Sequence, residues 1–267
     1  MAFVFAVAAV VLADILDGGS IHSLINIPAM ILVLGGTLGA TTMSTAVADL
    51  KAVPSFLGKV GRPKITSIDQ TIEDIAALAE VARREGLLRL EDELSRRPVS
   101  PFLQRGVQLI VDGADEERIR LMLEQELAIY EQRELTGASF FEAAGGYAPT
   151  LGIIGTVVGL VSVLSNLSNV QKLAPSIATA FIATLWGIST ANLFWLPIAN
   201  RLKGTLRHEV EAREMIIEGC IAIAAGQNPR LITEQLAVFR TPGKTKRSAP
   251  PSQEGEEQPE LGQVVGK

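Results

Sequence analysis

Residues 147–167 read YAPTLGIIGTVVGLVSVLSNL. The stretch carries no charge and is apolar enough for hydrocarbon, yet it places Pro149, Gly152, Gly155, Thr156 and Gly159 where bulk would be expected. A simple lipid anchor needs only Leu, Ile and Val. Small and hydroxylated residues imply a face that meets other helices closely, or one that meets water or an ion.

Similar runs recur. The chain has 267 residues, 48% of them hydrophobic and 5% aromatic, with a mean hydropathy of +0.30. That is too apolar for an ordinary soluble domain. Charge-free runs lie at 1–16, broken at Asp14, at about 27–48, at about 143–167 and at about 177–199. The last three reach the roughly 20 residues a membrane span needs. The first is short, which fits a locally thinned bilayer or a start further upstream. A cleaved signal peptide is its rival. However, no Lys or Arg precedes the run and no clear small-residue cleavage site follows it.

Basic residues set the orientation. Of 24 Lys and Arg, 13 fall between spans two and three and 10 follow span four, whereas the loops 17–26 and 168–176 hold only Lys172. Positive charge stays inside, so both termini and the large loop are cytoplasmic. The single cysteine, Cys220, excludes an internal disulfide and suits a reducing compartment. The expected fold is an all-α integral membrane protein. Four transmembrane helices enclose a helical cytoplasmic domain between spans two and three. The segments are 1–48 (spans one and two), 49–141 (cytoplasmic helical domain), 142–203 (spans three and four), 204–240 (cytoplasmic helical extension) and 241–267, a Pro- and charge-rich tail expected to be disordered.

Within 49–141, Thr66-Ser67 precede an amphipathic run from Ile68 that Gly86 stops. LLRLEDELSRR ends at Pro98, and FLQRGVQLIVDG ends at Gly113. Asp115 opens a helix acidic in its first turn, and no strong breaker separates it from span three. One long helix is therefore expected to rise into the membrane.

Gly152, Gly155 and Gly159 share one helix face, and span four answers with Ala180, Ala183, Thr184, Gly187 and Ala191. Helix packing explains the glycines. The hydroxyls of Thr156 and Thr184 either lie over backbone carbonyls or line a hydrated path, and composition favours neither. Pro149 and Pro197, near the cytoplasmic ends of spans three and four, read as hinges or as boundary markers. Spans two to four contain no Asp, Glu, Lys, Arg or His, whereas an ion relay keeps an ionisable group at membrane depth. Any conducted ion therefore needs an acid from a second chain. No metal-ligand spacing or catalytic grouping is visible around His22 or His208. Gly243-Lys244-Thr245 lacks the rest of a phosphate loop. The block 49–141 has 17 acidic against 13 basic residues, which argues against nucleic-acid binding.

Four stretches together resemble the flagellar motor stator A subunit, the MotA/PomA family: INIPAMILVLGGTLGAT (25–41), ARREGLLRLEDEL (82–94), AAGGYAPTLGIIGTVVGLVSVLSNL (143–167) and AFIATLWGISTANLFWLPIANRLK (180–203). The resemblance covers about 1–240. It implies a non-enzymatic, multi-pass protein of the cytoplasmic membrane that carries H+ or Na+, with no cofactor and no metal. Five copies would surround two B subunits, each with a single span, a membrane aspartate and a peptidoglycan-binding domain. By position, Thr156 and Thr184 would line the ion path, Pro149 and Pro197 would couple ion passage to movement, and Arg83, Glu91 and Glu93 would touch the rotor switch protein FliG. Proton coupling is the default. The runner-up is an ExbB/TolQ-type channel energising outer-membrane transport, which has one span before its cytoplasmic region. A structural membrane scaffold is the third reading.

Overall fold

The computed structural model describes residues 2–18, 24–61, 66–168 and 170–240. His22, Gly243-Lys244-Thr245 and the tail 241–267 lie outside them. Every regular element among the described residues is helical. Two helices dominate. Glu116–Ser165 runs 50 residues, about 75 Å at the helical rise. Its antiparallel neighbour begins at Val170, makes a π turn at Ala191–Trp195 and continues as Leu196–Ala224. These are the helices long and apolar enough to cross a membrane. Asp115 starts the first by accepting from the Arg118 N–H at 2.8 Å, and Glu116 and Glu117 meet the positive end of its dipole.

The expected continuity is present. The boundaries read at 141/142 and 203/204 fall inside unbroken helices, so the apolar and charged parts share two continuous rods. Span two is shorter than its apolar run: helix Ile27–Met43 stops before residue 48. The hydroxyls of Ser44 and Thr45 both donate to the Thr41 carbonyl, at 2.9 and 2.8 Å. Ala46 is then extended (φ −61°, ψ 139°). Side-chain bonds to the last turn have replaced the helical ladder. Helix Ala2–Leu16 contributes 15 residues before it.

The charged part, including most of the block 49–141, is a helical cluster wrapped on the two rods. Ser67 caps helix Ile68–Glu85, which ends at Gly86 with φ +93°. A positive φ there is what glycine supplies without strain. Helices Arg89–Arg96 and Pro101–Val111 follow, the second capped by Ser100. Their apolar faces converge on a core that includes Ile72, Ile75, Leu78, Leu103, Ile110, Leu123, Met215, Ile216 and Ile223. Cys220 lies in this core, its sulfur 2.5 Å from where a side chain on Gly106 would begin. A second core nearer the membrane joins Phe56, Phe141, Ala144, Ala148, Ala191 and Trp195. Helix Pro229–Leu236 packs back on helix Ile68–Glu85, and Arg240 pairs with Asp69 at 2.9 Å.

Burial pushes the Cys220 thiol up to about 12 by excluding the water that would stabilise a thiolate. Folded protein should therefore resist maleimide until it unfolds. Because the folded thiol holds its proton where an unfolded one loses it, stability should fall as pH climbs from about 9 towards 12. Thermal unfolding of wild type against Cys220→Ala over that range checks the sign, the variant showing the shallower slope.

Candidate functional site

The two rods meet along a seam of small residues. A side chain on Gly152 would begin 3.0 Å from the Ala183 carbonyl and 3.1 Å from the Thr184 Cα. On Gly187 it would begin 2.6 Å from the Ala148 carbonyl; on Gly159, 2.6 Å from the Ala180 Cβ. Gly155 faces Ala183 and, from span two, Leu32. The helices thus touch backbone to backbone, a distance only glycine and alanine permit. Leu32 has no signal in the sequence that would single it out from other apolar neighbours.

Thr156 and Thr184 come together at this seam, about halfway along the apolar segments. The Thr156 hydroxyl lies 3.2 Å from each of the Gly152 and Ala180 carbonyls and bonds the Thr184 hydroxyl. Thr184 in turn reaches the Gly152 carbonyl at 3.4 Å. Four oxygens therefore share two protons, so at most two of these contacts are hydrogen bonds at any moment. Both threonines are half-buried. The two readings of their hydroxyls are thus compatible: they cover backbone carbonyls and still present oxygen to whatever lies beside the seam.

Further out, Ser162 and Ser176 face each other at 3.5 Å, and the Asn26 amide donates to Thr179 at 2.9 Å. A groove of about 250 Å³ runs here, between Pro28, Leu32, Gly155, Gly159, Ser162 and Thr179. The Trp186 indole N–H donates to the Leu24 carbonyl at 2.9 Å, fixing span two to span four. Asn26 and Trp186, polar groups beside apolar runs, are the sequence signals for these two ties.

Neither proline ends a helix. Pro149 lies inside Glu116–Ser165. Pro197 follows the π turn Ala191–Trp195, where the Leu196 N–H reaches back to the Ala191 carbonyl. The wider turn makes room for a ring that would otherwise strike the carbonyl four residues earlier. At the cytoplasmic margin Lys203 pairs with Glu142 at 2.6 Å.

Arg83 lies on helix Ile68–Glu85, and Glu91 and Glu93 on helix Arg89–Arg96. Around them an ion-pair ladder joins Arg84 to Glu80, Arg89 to Glu85, and Arg89 to Asp92. Glu93 pairs with Arg97 at 3.5 Å. Arg83 and the Glu91 carboxylate are exposed and take no ion pair among the described residues, which leaves two opposite charges free at the surface. Arg83 borders a groove with Arg84, Asn228 and Arg230. Elsewhere, Arg213 sits 3.5 Å over the Tyr130 ring and 5.0 Å from that of Phe102. Burial lowers its ordinary pKa, opposed by Glu209, Glu126 and Glu134. Among the described residues no three His, Cys, Asp or Glu side chains gather to hold a metal.

A model of the MotA/TolQ/ExbB proton channel family matches residues 94–215. Motility protein A of Bacillus subtilis strain 168 is 36% identical over 237 residues, covering 88% of this chain and 87% of that one. Chemotaxis protein PomA of Vibrio alginolyticus is 33% identical over 243 residues, covering 91% and 92%. Among solved structures, that of C. jejuni MotAB matches with a TM-score of 0.85 at 29% identity, covering 91% of this chain and 95% of that one. The flagellar MotAB stator complex from Bacillus subtilis matches with a TM-score of 0.83 at 36% identity, covering 89% and 93%.

The seam makes a direct prediction. Gly187→Ala, which drives a methyl into the Ala148 carbonyl, should lower stability by about 1–3 kcal/mol. Gly204→Ala, which meets open space in a helix, should be neutral or stabilising by up to about 1 kcal/mol. Thermal unfolding of the two solubilised variants separates these outcomes.

Proposed function

The chain belongs to the motility protein A (MotA/PomA) family of flagellar stator subunits, and on that premise we propose that its charge-free membrane helices form the wall of an ion path completed by a partner B subunit. The protein resides in the inner membrane. Four helices span it, with both termini and the block 49–141 in the cytoplasm, following the placement of Lys and Arg. The observation that carries the reading is the oxygen cluster of Thr156, Thr184 and the Gly152 and Ala180 carbonyls, set in a segment without ionisable residues. Such a wall can solvate a passing cation but cannot hold a counter-charge. The carboxylate comes from the single span of the partner, around which several copies of this chain, five by resemblance, form a ring.

Work is done by changing that carboxylate's charge. In a low-dielectric ring, neutralising it alters its attraction to the surrounding oxygens by several kcal/mol, which shifts the copy it packs against. The wall helices respond at Pro149 and Pro197, and the rods carry the displacement to the cytoplasmic part. There Arg83 and Glu91, uncommitted in the ion-pair ladder, engage the rotor switch protein FliG, with Glu93 beside them. The transported ion is H+ or Na+, and no resident cofactor takes part. The ExbB/TolQ-type alternative is less favoured: the relatives above are motility and chemotaxis proteins, and two apolar helices, Ala2–Leu16 and Ile27–Met43, precede the cytoplasmic part.

Two outcomes are expected. In vesicles holding the complex with its B subunit, Thr184→Val should reduce cation flux about tenfold, the effect of leaving one polar contact unmade; flux and selectivity equal to wild type would contradict the lining role. Arg83→Glu should cut motor torque while leaving vesicle flux intact, and a matching charge reversal on the rotor protein should restore rotation.

A further inference from the structure

Two buried polar side-chain atoms among the described residues have no hydrogen-bond partner: the Thr37 hydroxyl and the Trp195 indole N–H. Thr37 is 0% and Trp195 8% exposed. An unmade bond at a buried donor is rare and costly, so each orphan needs a reason. Their positions supply one. The Trp195 Cβ lies 3.5 Å from where a side chain on Gly145 would begin, four residues before Pro149. Thr37 adjoins Gly36, whose added side chain would begin 3.0 Å from Leu151, two residues after Pro149. Trp195 and the residue next to Thr37 thus pack within one turn of Pro149 on the long rod, and each orphan belongs to a helical stretch with a π turn, Ile31–Gly35 or Ala191–Trp195. Pro149 has no N–H for the Gly145 carbonyl, which loses its regular helical donor. An acceptor short of a donor and a donor short of an acceptor lie in one packed layer.

We propose that Trp195 is a positioning residue of the stator's coupling step, its indole N–H unpaired in this state and donating to the Gly145 carbonyl when the rod bends at Pro149. Thr37, on the helix that packs against Leu151, acts in the same sense, giving its hydroxyl to a carbonyl that the bend exposes. The two states then differ by buried hydrogen bonds held in reserve, and the bend has a defined end point. Packed interfaces are bistable rather than continuously deformable, so a small number of such bonds can select between arrangements. Trp195 touches neither the ion nor the partner's carboxylate in this scheme. The inference rests on the stator reading and extends it to residues outside the ion path.

The test uses the complete complex with its B subunit in vesicles. Trp195→Phe keeps an aromatic ring of smaller size and removes the N–H; Thr37→Val keeps the shape and removes the hydroxyl. Each should lower cation flux about tenfold, the effect of one buried bond lost from the bent state, and Thr37→Val, which leaves no cavity, should keep the thermal midpoint of the resting complex equal to or above that of wild type. Raman spectra of complexes with ¹⁵N-indole in this chain alone, taken as wild type minus Trp195→Phe, should show a free N–H that becomes bonded on acidification or on adding NaCl. Flux within twofold of wild type in both variants would overturn the proposal. So would a lowered midpoint accompanying the loss in Thr37→Val, which indicates packing alone, or an N–H already bonded at rest. A wild-type complex that passes neither cation would instead overturn the stator reading, and this inference with it.

Discussion

The approach of one backbone to another, Gly187 against Ala148 and Gly152 against Ala183 and Thr184, is the constraint from which the rest of the membrane part follows. In lipid there is no hydrophobic drive to hold helices together, so contact area at short range must do it. Only side chains of one carbon or none allow that range, and the seam accordingly runs Gly152, Gly155, Gly159 against Ala180, Ala183, Gly187. Once the rods are this close, the Thr156 and Thr184 hydroxyls fall within reach of each other and of carbonyls on the facing rod, Ala180 for Thr156 and Gly152 for Thr184. Bulky residues leave the seam and face outward: Ile153, Ile154, Val157, Val158 and Val161 are all exposed in the single chain. That outward face suits lipid and neighbouring chains.

The same rods serve two solvents. Above Glu142 and Lys203 they are apolar and meet along small residues. Below, they carry charge and meet through large ones, with Leu123 and Met215 fully buried. Polar ties stiffen the lower part: Tyr130 bonds Glu209, Arg120 bonds Glu218 at 2.8 Å, and Lys59 bonds Glu134. Partly exposed pairs of this kind add little stability each, but the first two fix the register of one rod against the other, and the third ties helix Val53–Gly61 to the first rod. The apolar core supplies the energy and the ion pairs supply alignment.

Much of this was legible in the sequence because it rests on periodicity and punctuation. Ser67, Ser100 and Asp115 cap the helices they precede, Gly86 and Gly113 stop them with positive φ, and the absence of a breaker between Asp115 and Tyr147 foretold the long rod. The end of span two was misjudged because Ser44 and Thr45 look acceptable in an apolar run, and only their bonds to the Thr41 carbonyl show that they close the helix. The π turns were invisible for a related reason: the hydrophobic pattern does not record a shift from four to five residues per bond, although Pro197 marks one of them. The Thr156–Thr184 contact was reachable as a pair of hydroxyls but not as a shared set of oxygens, since carbonyl positions depend on the crossing of two helices. The stack of Arg213 on Tyr130 joins residues 83 apart, beyond any local signal.

That Glu116–Ser165 passes from cytoplasm to membrane without a linker has a consequence for how the molecule is phased. A continuous helix turns by about 100° per residue, so the azimuth of the charged surface around the bundle axis is set by the number of residues between Thr136 and Ala143. Adding or removing a single amino acid there would swing the whole lower half by more than a quarter turn, whereas seven would bring it nearly back, short by about 20°. Length in this stretch is therefore a form of phasing: it fixes the direction in which the charged half of the molecule presents its surface.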